Sequence, residues 1–123
     1  MTCAEYKTLR EACGLSQQAA ADFHDVALRT VQYWEAGGAV PPGVADEITQ
    51  LNARIERAVT EAMALAAKHP ADTVALVRYR TPQAFAGSRA DGEGLSWPCH
   101  NALVGRMKLA LERIGATVTI AWA

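Results

Sequence analysis

Positive charge is what this sequence has too little of for a polyanion binder: 12 Lys and Arg stand against 13 Asp and Glu over 123 residues, a formal net charge of −1. That excludes a protein that holds nucleic acid by electrostatics alone, because such affinity comes from a basic footprint that releases counterions. An apolar run of about 18 residues is also missing, so no segment reads as a membrane span. The opening MTCAEYKTLR carries Glu5 where a secretory signal would be apolar. A cytoplasmic protein is expected. The cysteines, Cys3, Cys13 and Cys99, form no CxxC pair, and Cys3 and Cys13 on one helix would stand roughly 15 Å apart, beyond disulfide reach. There is no GxGxxG, Walker loop, HExxH or paired-cysteine cluster. Cys99 and His100 are neighbours that would diverge by about 100° on a helix, so they make no dyad. Neither enzyme chemistry nor a metal or cofactor is expected.

Apolar residues, by contrast, make up 50% of the chain, enough for the core of one domain or of a small domain with an appendage. The stretch at 15–37, LSQQAAADFHDVALRTVQYWEAG, organises the rest. Ser16 suits a helix N-cap, and no breaker interrupts 17–23. Residues 24–26 break the pattern, and helical spacing resumes over 27–36 with Val31 and Trp34 facing inward and Leu28, Arg29, Gln32 and Tyr33 facing out. Two short helices joined by a tight turn have the shape to enter a major groove, the first bracing while the second reads.

LSQ, the alanines after it, Val26, Val31 and the closing WEAG together resemble the helix-turn-helix of the lambda-repressor-like (XRE) family, and no gap is needed between them. A narrower resemblance, carried by RTVQYWEAG, VPPGVADEITQL and a later LSW, is to the anti-CRISPR-associated repressors and related small bacterial regulators; it spans nearly the whole chain. These resemblances imply a five-helix DNA-binding domain over 1–69 with a core of Leu9, Leu15, Val26, Val31 and Trp34, and an ion pair between Arg10 and Glu35. They imply Gln17 for phosphate and Ala27, Leu28, Arg29, Gln32 and Tyr33 along the reading helix. Leu28 stands where a polar residue is common, so it can touch only a thymine methyl or the sugar edge. His24 and Asp25 replace an apolar residue and a Gly in the turn. Asp tolerates the left-handed conformation, and His24 reads as a partly buried, satisfied side chain.

Elsewhere, Thr2 and Glu5 have capping-box spacing for a first helix that buries Leu9 and Cys13 and stops at Gly14. Past Gly37 and Gly38, residues 39–70 read as largely helical, with Val44, Ile48, Leu51, Ile55, Ala58, Ala62 and Leu65 in an approximate heptad stripe. Its distal part is expected to face a second half or a second subunit. From Thr73 the period becomes two, a strand; Pro82 to Phe85 make a short helical turn, Ser96 starts a last helix, and 116–122 close as a strand. The whole is mainly α, with a small α+β dimerisation region of strand, turn, helix and strand over 70–123. Trp97, Val104, Met107, Leu111, Val118, Ile120 and Trp122 are expected to pair two copies.

Function follows as an expectation: a repressor that binds double-stranded DNA as a homodimer on an inverted repeat in its own promoter. The narrower resemblance implies an anti-CRISPR operon. Two other partners stay open: a toxin, which would make the chain an antitoxin of the same fold, and RNA, for which Arg78 and Arg80 beside Tyr79 supply a basic, aromatic strand.

Overall fold

Six α-helices and a two-stranded sheet make up the fold in a computed structural model that describes residues 1–123. Four helices precede the sheet where five are expected: α1 (Cys3–Ala12), α2 (Gln17–His24), α3 (Leu28–Glu35) and α4 (Pro42–Ala67). Beyond Gly43 the sequence of α4 contains no proline or glycine to divide it, so one helix of 26 residues takes the place of two. No helix is long and apolar enough to cross a membrane. The chain forms two compact units, Met1–Arg54 and Ile55–Ala123, that divide within α4.

In the first unit local chemistry sets each helix end. The Thr2 hydroxyl accepts the Glu5 backbone N–H at 3.0 Å while the Thr2 N–H donates to the Glu5 carboxylate at 2.7 Å, a closed capping box. Ser16 Oγ accepts the Ala19 N–H at 3.0 Å and starts α2. The turn between α2 and α3 passes through Asp25 at φ 55° and ψ 50°, the left-handed conformation. Tyr6, Cys13, Leu15, Ala20, Ala21, Val31, Trp34, Val44, Ile48 and Leu51 are buried and form the core. Two expected core residues are less enclosed: Leu9 and Val26 are only half-buried. Tyr6 and Arg10 of α1, with Cys13 at its C-cap, form the buried face instead, spaced i, i+4 and i+7.

In the second unit β1 (Thr73–Arg78) and β2 (Thr117–Trp122) pair in parallel, in register from Thr73 opposite Thr117 to Arg78 opposite Trp122. A parallel pair needs a crossover, and α6 (Trp97–Arg113) supplies it, after the short α5 (Pro82–Phe85). Ser96 stands at the N-cap of α6 without a capping side-chain hydrogen bond; Pro98 in the first turn fits a position where no N–H is needed. Ile55, Phe85, Cys99, Leu103, Val104, Leu111 and Val118 form this core. The α4 stripe fades along its length, from buried Ile55 through half-buried Ala58 and Ala62 to Leu65 at 62% exposure.

Candidate nucleic-acid interface

An aromatic cluster under the helix-turn-helix joins its two helices to α1. Tyr6 of α1 is fully buried, its hydroxyl lies 2.9 Å from His24 Nε2 of α2, and its ring meets Trp34 of α3 edge-on at 5.6 Å. His24 is also edge-on to Trp34, at 5.7 Å. Burial, reinforced by the Glu35 charge, pushes the Tyr6 hydroxyl up to about 12, so it stays protonated.

His24 is less fully satisfied than the sequence suggests. Its Nδ1 is buried without a hydrogen-bond partner, and Glu47 Oε1 of α4 is 3.7 Å away, beyond bonding distance. Burial lowers its pKa below the ordinary 6.5, against the opposing pull of Glu47. The unfolded chain therefore takes this proton more readily than the folded one, so the contribution of neutral His24 is complete above about 6.5 and is lost as pH falls through the folded value. Thermal melts between about pH 8 and about pH 5 should show the wild type losing stability more steeply than His24→Phe. Parallel curves would mean that Glu47 moves in and compensates the charge.

Arg10 and Glu35 meet across α1 and α3. Arg10 Nε donates to Glu35 Oε2 at 2.6 Å and Nη2 to Oε1 at 2.9 Å, while Nη1 donates to the Leu15 carbonyl at 2.8 Å. Burial alone would raise the Glu35 carboxyl, but hydrogen bonds from Arg10 and Gln17, with the Arg10 and Lys7 charges, hold it below its usual 4.5. Hydrogen bonding to Glu35 in turn raises the Arg10 pKa against its desolvation. Gln17, expected to hold phosphate, is half-buried and gives its Nε2 to Glu35 Oε1 at 3.3 Å. Its amide thus braces the ion pair.

On α3, Val31 is fully buried and Trp34 is 4% exposed, while Arg29 and Gln32 are exposed and Tyr33 is 63% exposed. Ala27, the N-cap, is exposed and caps nothing with its side chain; Leu28 is half-buried. An apolar face is thereby anchored and a polar one presented on the same two turns. Sequence periodicity alone misses Tyr6, although its i, i+4 relation to Arg10 is a signal, and it gives no hint that Gln17 reaches Glu35.

In the second unit the expected dimerisation residues separate into two groups. Val104, Leu111 and Val118 are 3%, 0% and 8% exposed and belong to the core, because the inward face of α6 is consumed in covering the parallel strands. Trp97 is half-buried and donates its indole N–H to the Tyr79 carbonyl at 2.8 Å; Met107 is half-buried. Ile120 and Trp122 of β2 stay exposed, and the guanidinium groups of Arg80 and Arg78 lie 4.3 and 5.5 Å from the Trp122 ring centre. At the other strand, His100 Nε2 is 3.0 Å from the Val77 carbonyl and Asn101 Nδ2 donates to that of Tyr79 at 3.1 Å, so α6 side chains satisfy the end of β1.

Residues 1–113 match the family model described as Aca2/YdiL-like, of the anti-CRISPR-associated helix-turn-helix regulator type. No curated protein shows significant similarity to the chain.

Proposed function

We propose that this chain, which belongs to the Aca2/YdiL-like family, is a cytoplasmic, sequence-specific DNA-binding repressor that controls its own operon, an anti-CRISPR operon in the narrower reading. The observation that carries this is the division of α3: Val31 and Trp34 fix the helix from beneath while Arg29, Gln32 and Tyr33 are exposed on the other face. Their chemistry suits the major groove, where an arginine fork matches guanine O6 and N7 and a glutamine amide matches adenine N6 and N7. Ala27 and Leu28 supply apolar contact to a thymine methyl. With so little positive charge, phosphate contacts fall to backbone N–H groups and polar side chains, so affinity depends on fit.

One reading helix covers too few bases to mark a single site in a genome, so the proposed species is a homodimer on an inverted repeat, with half-sites one helical turn or a multiple apart. Exposed Ile120 and Trp122 support a pairing surface on the second unit. The deciding experiment is footprinting on the DNA upstream of the chain's own gene, with solution mass and half-sites displaced by about five base pairs. Arg29→Ala is expected to weaken operator binding by about 1–3 kcal/mol and relax preference at one position per half-site. Equal weakening on every sequence would make Arg29 a phosphate contact. The same exposed strand would also fit a toxin, and a monomer that is stable in isolation and binds no operator would favour that antitoxin reading. RNA held at Arg78 and Arg80 beside Tyr79 is the remaining alternative.

A further inference from the structure

Tyr33 is among the most exposed large side chains of the chain, yet its ring rests on the backbone. Helix α3 closes in a Schellman arrangement: the Gly38 N–H donates to the Tyr33 carbonyl at 2.9 Å and the Gly37 N–H to that of Trp34 at 3.4 Å, with Gly37 at φ 114°. This closure brings residue 38 back over the last turn. A Cβ on Gly38 would lie 2.6 Å from Tyr33 Cζ and closer still to Cε1 and Cδ1. Gly38, unlike Gly37, has no positive φ. Its backbone would accept alanine; the ring of Tyr33 would not. Such closures frequently bring two apolar side chains together between these positions, whereas here the Tyr33 ring occupies the place of the second one.

We propose that Gly38 is a positioning residue for recognition: it is the seat that holds the Tyr33 ring and aims the hydroxyl at the duplex beside the bases reached by Arg29 and Gln32. The proposal rests on the DNA-binding reading above. An exposed tyrosine that already sits in its bound rotamer loses less freedom on binding, which is how preorganised aromatic contacts gain affinity. A methyl at 38 would evict the ring without entering the core, since Gly38 is not among the buried core residues.

The test is a double-mutant cycle on the full chain and its footprinted upstream DNA, with Gly38→Ala, Tyr33→Ala and both together. Gly38→Ala should weaken binding about tenfold, Tyr33→Ala by a similar factor, and the pair no more than Tyr33→Ala alone, because without the ring the methyl displaces nothing. In the free protein, the Gly38 Hα signals should carry a ring-current shift that vanishes in Tyr33→Ala, and Gly38→Ala should melt close to the wild type. Additive losses in the double variant, or unshifted Gly38 signals, overturn the proposal while the wild type still binds. A wild type that binds no upstream DNA, with the ring-current shift intact, instead overturns the DNA-binding reading and the positioning role with it.

Discussion

Trp34→Ala is expected to destabilise the first unit by about 3–5 kcal/mol, a large share of the 5–15 kcal/mol or so that holds a typical domain. Helix α3 has 8 residues and no side-chain cap at Ala27, and helices under about 12–15 residues do not persist alone. What holds it is burial of Val31 and Trp34. The indole also completes the cluster with Tyr6 and His24, where edge-on ring contacts add to the area removed from water. Its loss would empty a space bounded by α1 and α2 and free α3 from its support. Thermal denaturation followed by backbone amide NMR should show the signals of residues 1–54 collapsing. By contrast, Gln32→Ala and Tyr33→Phe should weaken operator binding with the melting temperature unchanged, Tyr33→Phe by no more than the loss of the whole ring. A Trp34→Ala protein that melts like the wild type and merely fails to bind DNA would overturn the phase of α3.

Helix ends were legible because local chemistry writes them: Thr2 with Glu5, Ser16, and Gly37 each act within a few residues of where they stand. The phase of α3 was legible for a similar reason, since Val31 and Trp34 are its large apolar pair at helical spacing. The buried face of α1 was not. Local spacing places the apolar face through Leu9 and Cys13; the Arg10–Glu35 pair, which only the family resemblance implies, turns Arg10 inward and Tyr6 with it. That rotation depends on a residue 25 positions away, outside any local period. The same limit applies in the second unit. Alternation identifies β1 and β2, yet it is the same for parallel and antiparallel strands and does not say how much of the inner face of α6 is used up in covering them. Periodicity therefore offers Val104, Leu111 and Val118 to a partner's surface, whereas the structure buries them in the core.

Arg10→Met should cost about 3–5 kcal/mol although it keeps most of the side-chain volume, because it strands a charge. The Glu35 side chain is 6% exposed and would retain only the 3.3 Å hydrogen bond from Gln17, while the Leu15 carbonyl would lose its donor as well. In the wild type the lowered Glu35 pKa gives stability that is present above about 4.5 and lost as pH falls through the folded value. Removing the guanidinium leaves burial as the dominant influence, which reverses the sign: the variant's Glu35 pKa rises, and acid should relieve the variant while it weakens the wild type. Their melting curves should converge between about pH 7 and about pH 4.5. The double variant Arg10→Met, Glu35→Leu carries neither charge and should recover much of the loss, since a buried pair exchanged for apolar residues of like volume is often near neutral. A double variant as unstable as the single one, with no convergence at acid pH, would show that Arg10 matters through packing and its bond to Leu15, with the charge of Glu35 a minor influence.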